Sequence, residues 1–226
     1  MNIIVIGATQ GLGLELVKIF SKNGHKVAAG TAELQTPASL ASIEGILVFP
    51  SDVTNEEQVK SGVSKCAEFF GEKADVLINV AGVLLPSDRV NNIQDCDVAV
   101  LRKSFEVNAI GAIIVAKSFY PAMKEGGRVF TVTSEGTGLK SCGTWIPCYA
   151  LSKTAATKVS GVFNASVTDV DFYSVHPGRM NTEMGRQTAQ IEATETAESL
   201  LRVVNGEIPI TRENWYINYK GEPMEL

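Results

Sequence analysis

The sequence predicts an α/β fold in which a single doubly wound parallel sheet carries helices on both faces. Short apolar runs alternate with longer stretches whose apolar residues recur at helical spacing. The short runs are continuously apolar, as expected for strands buried on both faces of a parallel sheet. No repeat or linker interrupts the pattern, and 226 residues suit one domain, so we expect a single domain over residues 1–226.

The individual elements follow from these patterns. The predicted strands are NIIVI (2–6), KVAAG (26–30), ILVFP (46–50), DVLINV (75–80), RVFTVTS (128–134), VDFYSVH (170–176) and NWYINY (214–219). The predicted helices are 12–22, 55–70, 95–124, 149–167 and 192–205. The segment 31–45 is less regular, and Pro37 limits any helix there. In such a fold, ligands bind at the carboxyl ends of the strands, so functional residues are expected there.

Composition disfavours several classes of partner. The formal net charge is −5 without a block of lysine or arginine, which argues against nucleic-acid or anionic-membrane binding. The longest apolar stretches, such as AIGAIIVA at 109–116, are too short to span a bilayer, and MNIIVIG enters a strand pattern without a signal peptide. The cysteines show no CxxC pair and no metal-ligand spacing with the two histidines. We therefore expect reduced thiols, a cytoplasmic location and no metal.

The first predicted strand ends in a glycine-rich turn, GATQGLG, with glycines at 7, 11 and 13. Gly7 suits a tight turn, Gly11 a close approach of the backbone to a phosphate, and Gly13 the packing of the next helix. The N–H groups that begin this helix would face a pyrophosphate. A steric need for glycine explains the same residues, but their place after the first strand favours nucleotide binding.

Residues 149–153, YALSK, place a tyrosine and a lysine about one helical turn apart, so Tyr149 and Lys153 share a helix face. Two explanations fit: a solvated lysine beside an incidental tyrosine, or a proton-transfer pair. A free tyrosine has a pKa of about 10, and a nearby ammonium favours the phenolate. If the pair is catalytic, we expect Lys153, together with the positive charge of an oxidised cofactor, to lower the pKa of Tyr149.

Further motifs occur in order at strand ends: NVAG (79–82), VTS ending at Ser134, and HPG (176–178). Together with GATQGLG and YALSK, they resemble the short-chain dehydrogenase/reductase family along essentially the whole chain. The short carboxyl-terminal part, from HPGRMNTEM onwards, resembles the compact C-factor-like or sniffer-like carbonyl reductases. This resemblance implies an oxidoreductase that transfers a hydride between a nicotinamide cofactor and a carbonyl or secondary alcohol, and it favours the catalytic explanation of YALSK.

The resemblance also implies roles for individual residues. Tyr149 is the expected general acid/base, Lys153 tunes it and binds ribose, and Ser134 polarises the substrate oxygen. Asn108, in FEVNAIG, is expected to hold a water of the proton relay. The expected cofactor contacts are Gly7, Gln10, Gly11, Leu12, Gly13, Thr31, Asp52, Val53, Asn79, Ala81, Gly82, Tyr149, Lys153, Pro177, Gly178 and Thr182.

Several neighbouring residues admit two roles. Val80 replaces the second asparagine of the family's NNAG motif, which puts one supporting hydrogen bond in doubt. Asn108, inside a predicted helix, is explained by a bound water with a backbone contact or by a capped local bend. For His176 a structural role is favoured over that of a base. For Glu135 and Arg179 a solvated loop position is favoured over contact with substrate.

Two segments bear on the substrate pocket. Cys142, Trp145 and Cys148 lie between the serine and tyrosine motifs, where they either line the pocket or fill the core. Only 15 residues, 177–191, separate the end of the sixth predicted strand from the last predicted helix. So short a loop predicts a relatively open pocket.

We expect NAD(H) to bind in preference to NADP(H). In this fold an acid after the second strand holds the ribose hydroxyls, or a basic residue holds a 2′-phosphate. Thr31 and Ala32 occupy the positions usual for the acid and the arginine, and Glu33 follows. No lysine or arginine occurs from Val27 to Val59, so a 2′-phosphate near Glu33 would meet repulsion without a local cation.

A homodimer is also expected. The YALSK helix carries small residues that allow a second helix to approach, and family members often pair through this helix. These residues are Ala155, Ala156, Ser160 and Gly161. The same residues suit packing on the sheet.

Two functions compete with the oxidoreductase. One is a cofactor-binding signalling or regulatory protein with little turnover, which the intact set of Asn108, Ser134, Tyr149 and Lys153 disfavours. The other is an epimerase or dehydratase acting on nucleotide sugars, which the lack of a plausible substrate domain disfavours.

Overall fold

One sheet of seven parallel strands forms the centre of the protein in the computed structural model, which describes residues 1–140, 142–185 and 188–226. The strand order is β3-β2-β1-β4-β5-β6-β7, and each neighbouring pair is parallel. The strands are β1 Asn2–Ile6, β2 Lys26–Thr31, β3 Leu47–Pro50, β4 Ala74–Asn79, β5 Met123–Val132, β6 Val170–His176 and β7 Tyr216–Asn218. The order reverses between β1 and β4, which opens a crevice at their carboxyl ends.

Helices cover both faces of this sheet, and the predicted Rossmann-type α/β fold is confirmed. They are α1 Gly11–Lys22, α2 Ala38–Ala41, α3 Glu56–Phe70, α4 Val98–Phe105, α5 Gly111–Phe119, α6 Pro147–Ser166 and α7 Ala193–Val204. One apolar cluster joins α1 and α7 to one face of the sheet and contains Val5. A second joins α3, α5 and α6 to the other face and contains Ile4. Because successive residues of β1 enter opposite clusters, this strand is buried on both faces, as its continuous apolar run predicts.

The predicted helix over 95–124 is wrong in its continuity and at its end. A π-helical segment, Glu106–Ile110, separates α4 from α5, and a 3₁₀ turn, Tyr120–Ala122, follows α5. Pro121 lacks the N–H group that would continue the helix. β5 therefore begins at Met123, well before the predicted start at 128.

Two other sequence expectations concern loops. Pro37 does limit helix formation, since α2 begins directly after it and has only four residues. The loop 177–191, from which an open pocket was predicted, includes positions 186 and 187, which lie outside the described residues. Among the described residues, no helix is both long and apolar enough to cross a membrane.

Candidate active site

The candidate site lies at the carboxyl edge of the sheet, where β1, β4, β5 and β6 end. The glycine-rich turn follows β1, the NVAG segment begins at the last residue of β4, and Ser134 lies two residues beyond β5. The HPG segment begins at the last residue of β6. Because the strands are parallel, these motifs meet at one edge, as the sequence predicts.

The glycine-rich turn depends on its glycines for both conformation and packing. Gly7 has a φ of +84°, and a Cβ there would lie 2.7 Å from the backbone nitrogen of Ala81. A Cβ at Gly13 would lie only 2.0 Å from the carbonyl oxygen of Gly7. The turn therefore packs directly against both α1 and the NVAG segment, with no space for a side chain at Gly7 or Gly13.

The amino-terminal end of α1 faces the loop after β6. Gln10 is the N-cap residue, and its side chain makes no capping hydrogen bond within the described part of the chain. A Cβ at Gly11 would lie 3.4 Å from the methyl carbon of Thr182, so these two predicted cofactor residues do come together. Leu12 packs in the core beside β1, so a cofactor contact from this residue would use its backbone.

The NVAG segment is ordered by its own first residue. The Asn79 side-chain oxygen accepts a hydrogen bond from the Ala81 N–H at 3.2 Å. Val80 donates its N–H to the Ile6 carbonyl at 2.8 Å, and its side chain packs against the core cluster of α1 and α7. At the position of the family's second asparagine, this chain therefore has an apolar packing contact.

Asn108 lies within the π-helical segment and is 2 % exposed. Its side-chain oxygen accepts the N–H of Val83 at 2.7 Å, while its amide nitrogen donates to the Val83 carbonyl at 3.0 Å. The same amide nitrogen donates to the Ser152 hydroxyl at 2.9 Å. Asn108 therefore joins the helix that carries it to the segment after Gly82 and to α6, and π-helical segments often occur at functional sites.

Lys153 and Tyr149 lie on the same side of α6, as the YALSK spacing predicts. The Lys153 ammonium is 5.8 Å from the centre of the Tyr149 ring and donates to the Val132 carbonyl at 2.8 Å. A Cβ at Gly82 would lie 2.8 Å from the Lys153 Nζ atom. The NVAG segment thus passes directly over the ammonium, which leaves Lys153 only 3 % exposed.

Burial shifts the pKa of both side chains. It lowers the pKa of Lys153 to about 8 and raises the pKa of Tyr149 to about 12. These values describe the protein without a cofactor, so the lowered pKa expected for Tyr149 beside both Lys153 and an oxidised cofactor stays a prediction. The cause of the raised pKa of Tyr149 is the loss of water on burial, which disfavours the charged phenolate.

Ser134 presents its hydroxyl to the same cavity as Tyr149. This cavity, of about 150 Å³, is also lined by Leu84, Thr133, Trp145, His176, Pro177, Gly178 and Thr182. The Ser134 hydroxyl oxygen accepts the Gly136 N–H at 3.2 Å, and the Ser134 carbonyl accepts the Tyr216 hydroxyl at 3.0 Å. With an N–H group already donating to that oxygen, the hydroxyl proton is available to a group in the cavity.

A histidine, a carboxylate and an arginine line one side of the cavity. The Nδ1 atom of His176 accepts the Glu135 N–H at 3.1 Å, which supports the structural role favoured for this residue. Burial, ahead of the neighbouring charges, lowers the pKa of His176. The Arg179 Nε atom donates to the Glu135 carboxylate at 2.5 Å. Glu135 and Arg179 are both exposed, as predicted for solvated loop residues, and they also pair with each other at the rim of the cavity.

The segment before Tyr149 divides between cavity and core. Trp145 lines the cavity. Cys148 is fully buried, and burial is the main cause that raises the pKa of its thiol to about 12. Cys142 is exposed.

The predicted adenosine contacts lie at the ends of β2 and β3. Thr31 is buried, and its hydroxyl donates to the Glu33 carbonyl at 3.1 Å. One Asp52 oxygen accepts both the N–H and the hydroxyl of Thr54, at 2.9 and 2.8 Å. Val53 is 5 % exposed and packs in the cluster of α3, α5 and α6.

The residues at this edge fit a nicotinamide dinucleotide. Within the described residues, the buried Thr133 hydroxyl, which lines the cavity, has no hydrogen-bond partner. An ammonium has three donors, and among the residues that the structure describes the Lys153 ammonium donates once, to Val132. The first turn of α1 supplies N–H groups suited to a pyrophosphate. Ribose and carboxamide groups would satisfy the polar atoms near Tyr149.

Sequence analysis missed two residues of the site. Tyr216, from β7, donates to the Ser134 carbonyl, and its hydroxyl also contacts that of Thr137 at 2.8 Å. Asp88 is 0 % exposed, and its carboxylate accepts the backbone N–H groups of Cys148 and Tyr149. These contacts join residues at least 60 positions apart, and no local pattern marks them.

Comparison with known proteins identifies the family. The model of the family described as short chain dehydrogenase matches residues 1–193, and the chain belongs to the short-chain dehydrogenase/reductase family. The chain is 27% identical over 218 residues to 1-hydroxy-2-glutathionyl-2-methyl-3-butene dehydrogenase of Rhodococcus sp. (strain AD45), covering 93% of each protein. The resemblance carried by the sequence motifs is therefore confirmed, and the protein is an oxidoreductase of this family.

Two further matches differ in extent. Estradiol 17-beta-dehydrogenase 2 of Rattus norvegicus is 31% identical over 191 residues, which cover 80% of this chain but only 49% of that protein. The crystal structure of a carbonyl reductase from Pseudomonas aeruginosa PAO1 in complex with NADP has a TM-score of 0.82 at 22% identity, covering 100% of this chain and 99% of that one. The fold is thus shared along the whole chain with a protein that binds a nicotinamide cofactor.

The lowered pKa of Lys153 predicts that the protein uses the reduced cofactor less efficiently at alkaline pH. The ratio kcat/KM for the reduced cofactor reports the free enzyme. We expect this ratio to be constant at lower pH and to fall as the pH rises through about 8, because Lys153 then loses the proton of its ammonium. Lys153→Arg keeps the charge at all accessible pH values. The kcat/KM of this variant should therefore show no fall as the pH rises through about 8. A wild-type profile without the fall, or the same fall in Lys153→Arg, would contradict the assignment.

Proposed function

We propose that the protein interconverts a carbonyl compound and a secondary alcohol with a nicotinamide cofactor. The observation that carries this proposal is the cavity shared by Ser134 and Tyr149 at the ends of the strands. Beside it, the Lys153 ammonium lies 5.8 Å from the Tyr149 ring centre. A hydroxyl, a phenol and an ammonium in this arrangement suit a reaction that places a proton on a substrate oxygen.

Tyr149 is the proposed general acid in the direction of reduction. A phenol with a pKa of about 12 is protonated near neutral pH and has a proton to give. The Lys153 ammonium stabilises the phenolate left behind, and the Ser134 hydroxyl donates to the oxygen on which negative charge develops. When bound, the nicotinamide supplies or accepts the hydride.

Asn108 is the proposed holder of the relay water that returns a proton to this pair. Both N–H donors of its side-chain amide are used, on the Val83 carbonyl and the Ser152 hydroxyl, and its oxygen accepts the Val83 N–H, so the side chain fixes the segment. With both side-chain donors occupied, the proposed water contact is assigned to the backbone of the π-helical segment. A regulatory protein without turnover has no need of this relay, and the carbonyl reductase from P. aeruginosa supports the substrate class.

Tyr149→Phe should lower kcat by about 10²–10⁴-fold, the usual contribution of general acid–base catalysis. The phenyl ring keeps the packing but carries no proton, so the Kd of the cofactor should change little. Turnover is followed by cofactor absorbance with a panel of aldehydes and ketones. Tyr120→Phe, which removes a hydroxyl bonded to Asp169 at the surface, is the matched control and should retain activity. If Tyr149→Phe kept half of the wild-type kcat, the assignment would fail.

For the cofactor we propose NAD(H). The support is the chain after β2: Glu33 is exposed there, and positions 27–59 contain no lysine or arginine. A 2′-phosphate beside this carboxylate would be repelled. Against the proposal stands the NADP in the crystal structure of the P. aeruginosa relative.

The Kd values of NADH and NADPH, measured in one low-salt buffer, decide the cofactor choice. We expect NADH to bind more tightly, and Glu33→Gln to narrow the difference by removing the repulsion of the 2′-phosphate. Glu44→Gln, an exposed carboxylate further along the same connection, is the matched control. NADPH binding about tenfold more tightly than NADH, or about 1.4 kcal/mol, would overturn the choice.

We also propose a homodimer, although the support differs from that expected. Ala156 and Ser160 are buried within the protomer, and a Cβ at Gly161 would lie 2.7 Å from the Trp215 ring. These small residues therefore serve the protomer's own packing. What supports pairing is the exposure of Leu151 and Val162 on α6, at 44% and 54%.

Light scattering at micromolar concentration tests this proposal. The wild type should have the mass of a dimer, and Val162→Asp should shift the mass towards the monomer because it places a charge in an apolar contact. Leu34→Asp, at a residue 77% exposed elsewhere, should leave the mass unchanged. A monomeric wild type would end the proposal.

We propose that residues 1–226 form one domain, since strands from Asn2 to Asn218 share one sheet. We propose a cytoplasmic location, supported by four cysteines that are all free.

A further inference from the structure

The first turn of α6 carries Tyr149 and lacks a cap of its own. A helix leaves its first N–H groups without partners inside the helix. Here the N-cap residue is Ile146, whose side chain has no acceptor, and Pro147 at the first helical position has no N–H. The next backbone donors are those of Cys148 and Tyr149.

Asp88 supplies the missing acceptors from a distant part of the chain. One of its carboxylate oxygens accepts the Cys148 N–H at 3.0 Å, and the other accepts the Tyr149 N–H at 2.7 Å. Asp88 is 0 % exposed at the end of a 3₁₀ turn, Pro86–Asp88. A buried carboxylate here also interacts favourably with the positive end of the helix dipole, and charge-assisted bonds of this kind are stronger than neutral ones.

A second contact holds the chain just before this turn in an unfavourable conformation. Ile146 has a φ of +52°, in the left-handed region that β-branched residues rarely adopt. Its N–H donates to the Val90 carbonyl at 3.1 Å. The segment around Asp88 therefore fixes both the entry to α6 and its first turn.

The same segment also reaches the residues around the ammonium. Val83, five residues before Asp88, exchanges two hydrogen bonds with the Asn108 side chain. Gly82 lies directly against the Lys153 Nζ atom. Residues 82–90 thus connect one side of the proton-transfer pair to the backbone of Tyr149.

We infer that Asp88 is a positioning residue whose carboxylate holds Tyr149 where it can exchange a proton with the substrate oxygen. This inference rests on the proposed role of Tyr149. Without Asp88, the first turn of α6 would lose both acceptors, and the phenol would no longer be held at a fixed distance from Ser134 and Lys153. Small misplacements of a reacting group are costly, about 10²-fold for 1 Å.

The other end of α6 offers a matched control. The Arg212 guanidinium donates to the carbonyls of Asn164, Val167 and Val170 and pairs with Asp171 at 2.7 Å. Arg212 therefore holds the carboxyl-terminal end of the same helix through backbone contacts, as Asp88 holds its beginning. Loss of either residue should lower the Tm, but only Asp88 contacts Tyr149, the residue proposed to transfer the proton.

The experiment compares Asp88→Asn, Asp88→Ala and Arg212→Ala for Tm, kcat, KM and cofactor Kd. We expect Asp88→Ala to lower kcat by about 10²-fold, with a much smaller change in KM and Kd. Asp88→Asn keeps one carbonyl acceptor and the side-chain shape, so its kcat should lie between those of the wild type and Asp88→Ala. Arg212→Ala should lower the Tm while kcat stays within about twofold of wild type, as expected for a site far from the chemistry.

Two further measurements separate positioning from general loss of stability. The solvent deuterium isotope effect on kcat should rise in Asp88→Asn, because proton transfer becomes slower relative to the other steps. In the Tyr149→Phe background, Asp88→Asn should cause almost no further loss of kcat, since groups that act as a unit are not additive. An Asp88→Asn protein with lowered Tm but wild-type kcat would overturn the inference, as would an Arg212→Ala protein that loses kcat as severely.

Failure of the proposed function has a different signature. If Tyr149→Phe is fully active on a substrate that the wild type turns over, the role of Tyr149 is wrong. A loss of kcat in Asp88→Asn alone would then show that Asp88 supports some other group, and the inference as stated would fall with that role. If Tyr149→Phe is inactive and Asp88→Asn is normal, the proposed function stands and only the inference about Asp88 falls.

Discussion

The buried ammonium of Lys153 is the group on which the geometry of the site depends. It donates a hydrogen bond to the Val132 carbonyl at the end of β5, and Gly82 packs directly against it. Burying a charge is costly unless it is hydrogen-bonded, and the lowered pKa of about 8 expresses this cost. Because the cost disappears only as the lysine loses its proton, this group's contribution to stability improves as the pH rises from about 8 towards its value in the unfolded chain.

Desolvation also disfavours the charged form of Tyr149. The Tyr149 phenol is held protonated by its surroundings, and the neighbouring ammonium becomes useful once that proton leaves. A well-defined position then matters more than a permanently ionised tyrosine. The structure provides it at the first turn of α6, where the Asp88 carboxylate accepts the N–H group of Tyr149.

What the sequence predicted well is local or follows from strand order. The glycines of GATQGLG, the polar residues at strand ends and the shared face of Tyr149 and Lys153 need only periodicity and the rule that parallel strands end at one edge. The remaining features depend on residues far apart in the chain. Asp88 lies 61 positions from Tyr149, and the π-helical segment accompanies contacts between Asn108 and Val83 across 25 positions. Sequence spacing places a charge beside Tyr149 but does not reveal the loss of water that raises the pKa of this phenol in the free protein.

The claim that burial controls the pKa of Tyr149 is tested most directly by titrating this phenol in the free protein. The ultraviolet absorbance of tyrosinate is titrated in the wild type and in Tyr149→Phe, and the difference between the two curves isolates this phenol. Burial predicts ionisation near pH 12, above the value of about 10 for a free tyrosine. Ionisation below that ordinary value would show that the Lys153 charge outweighs desolvation, and would contradict the account.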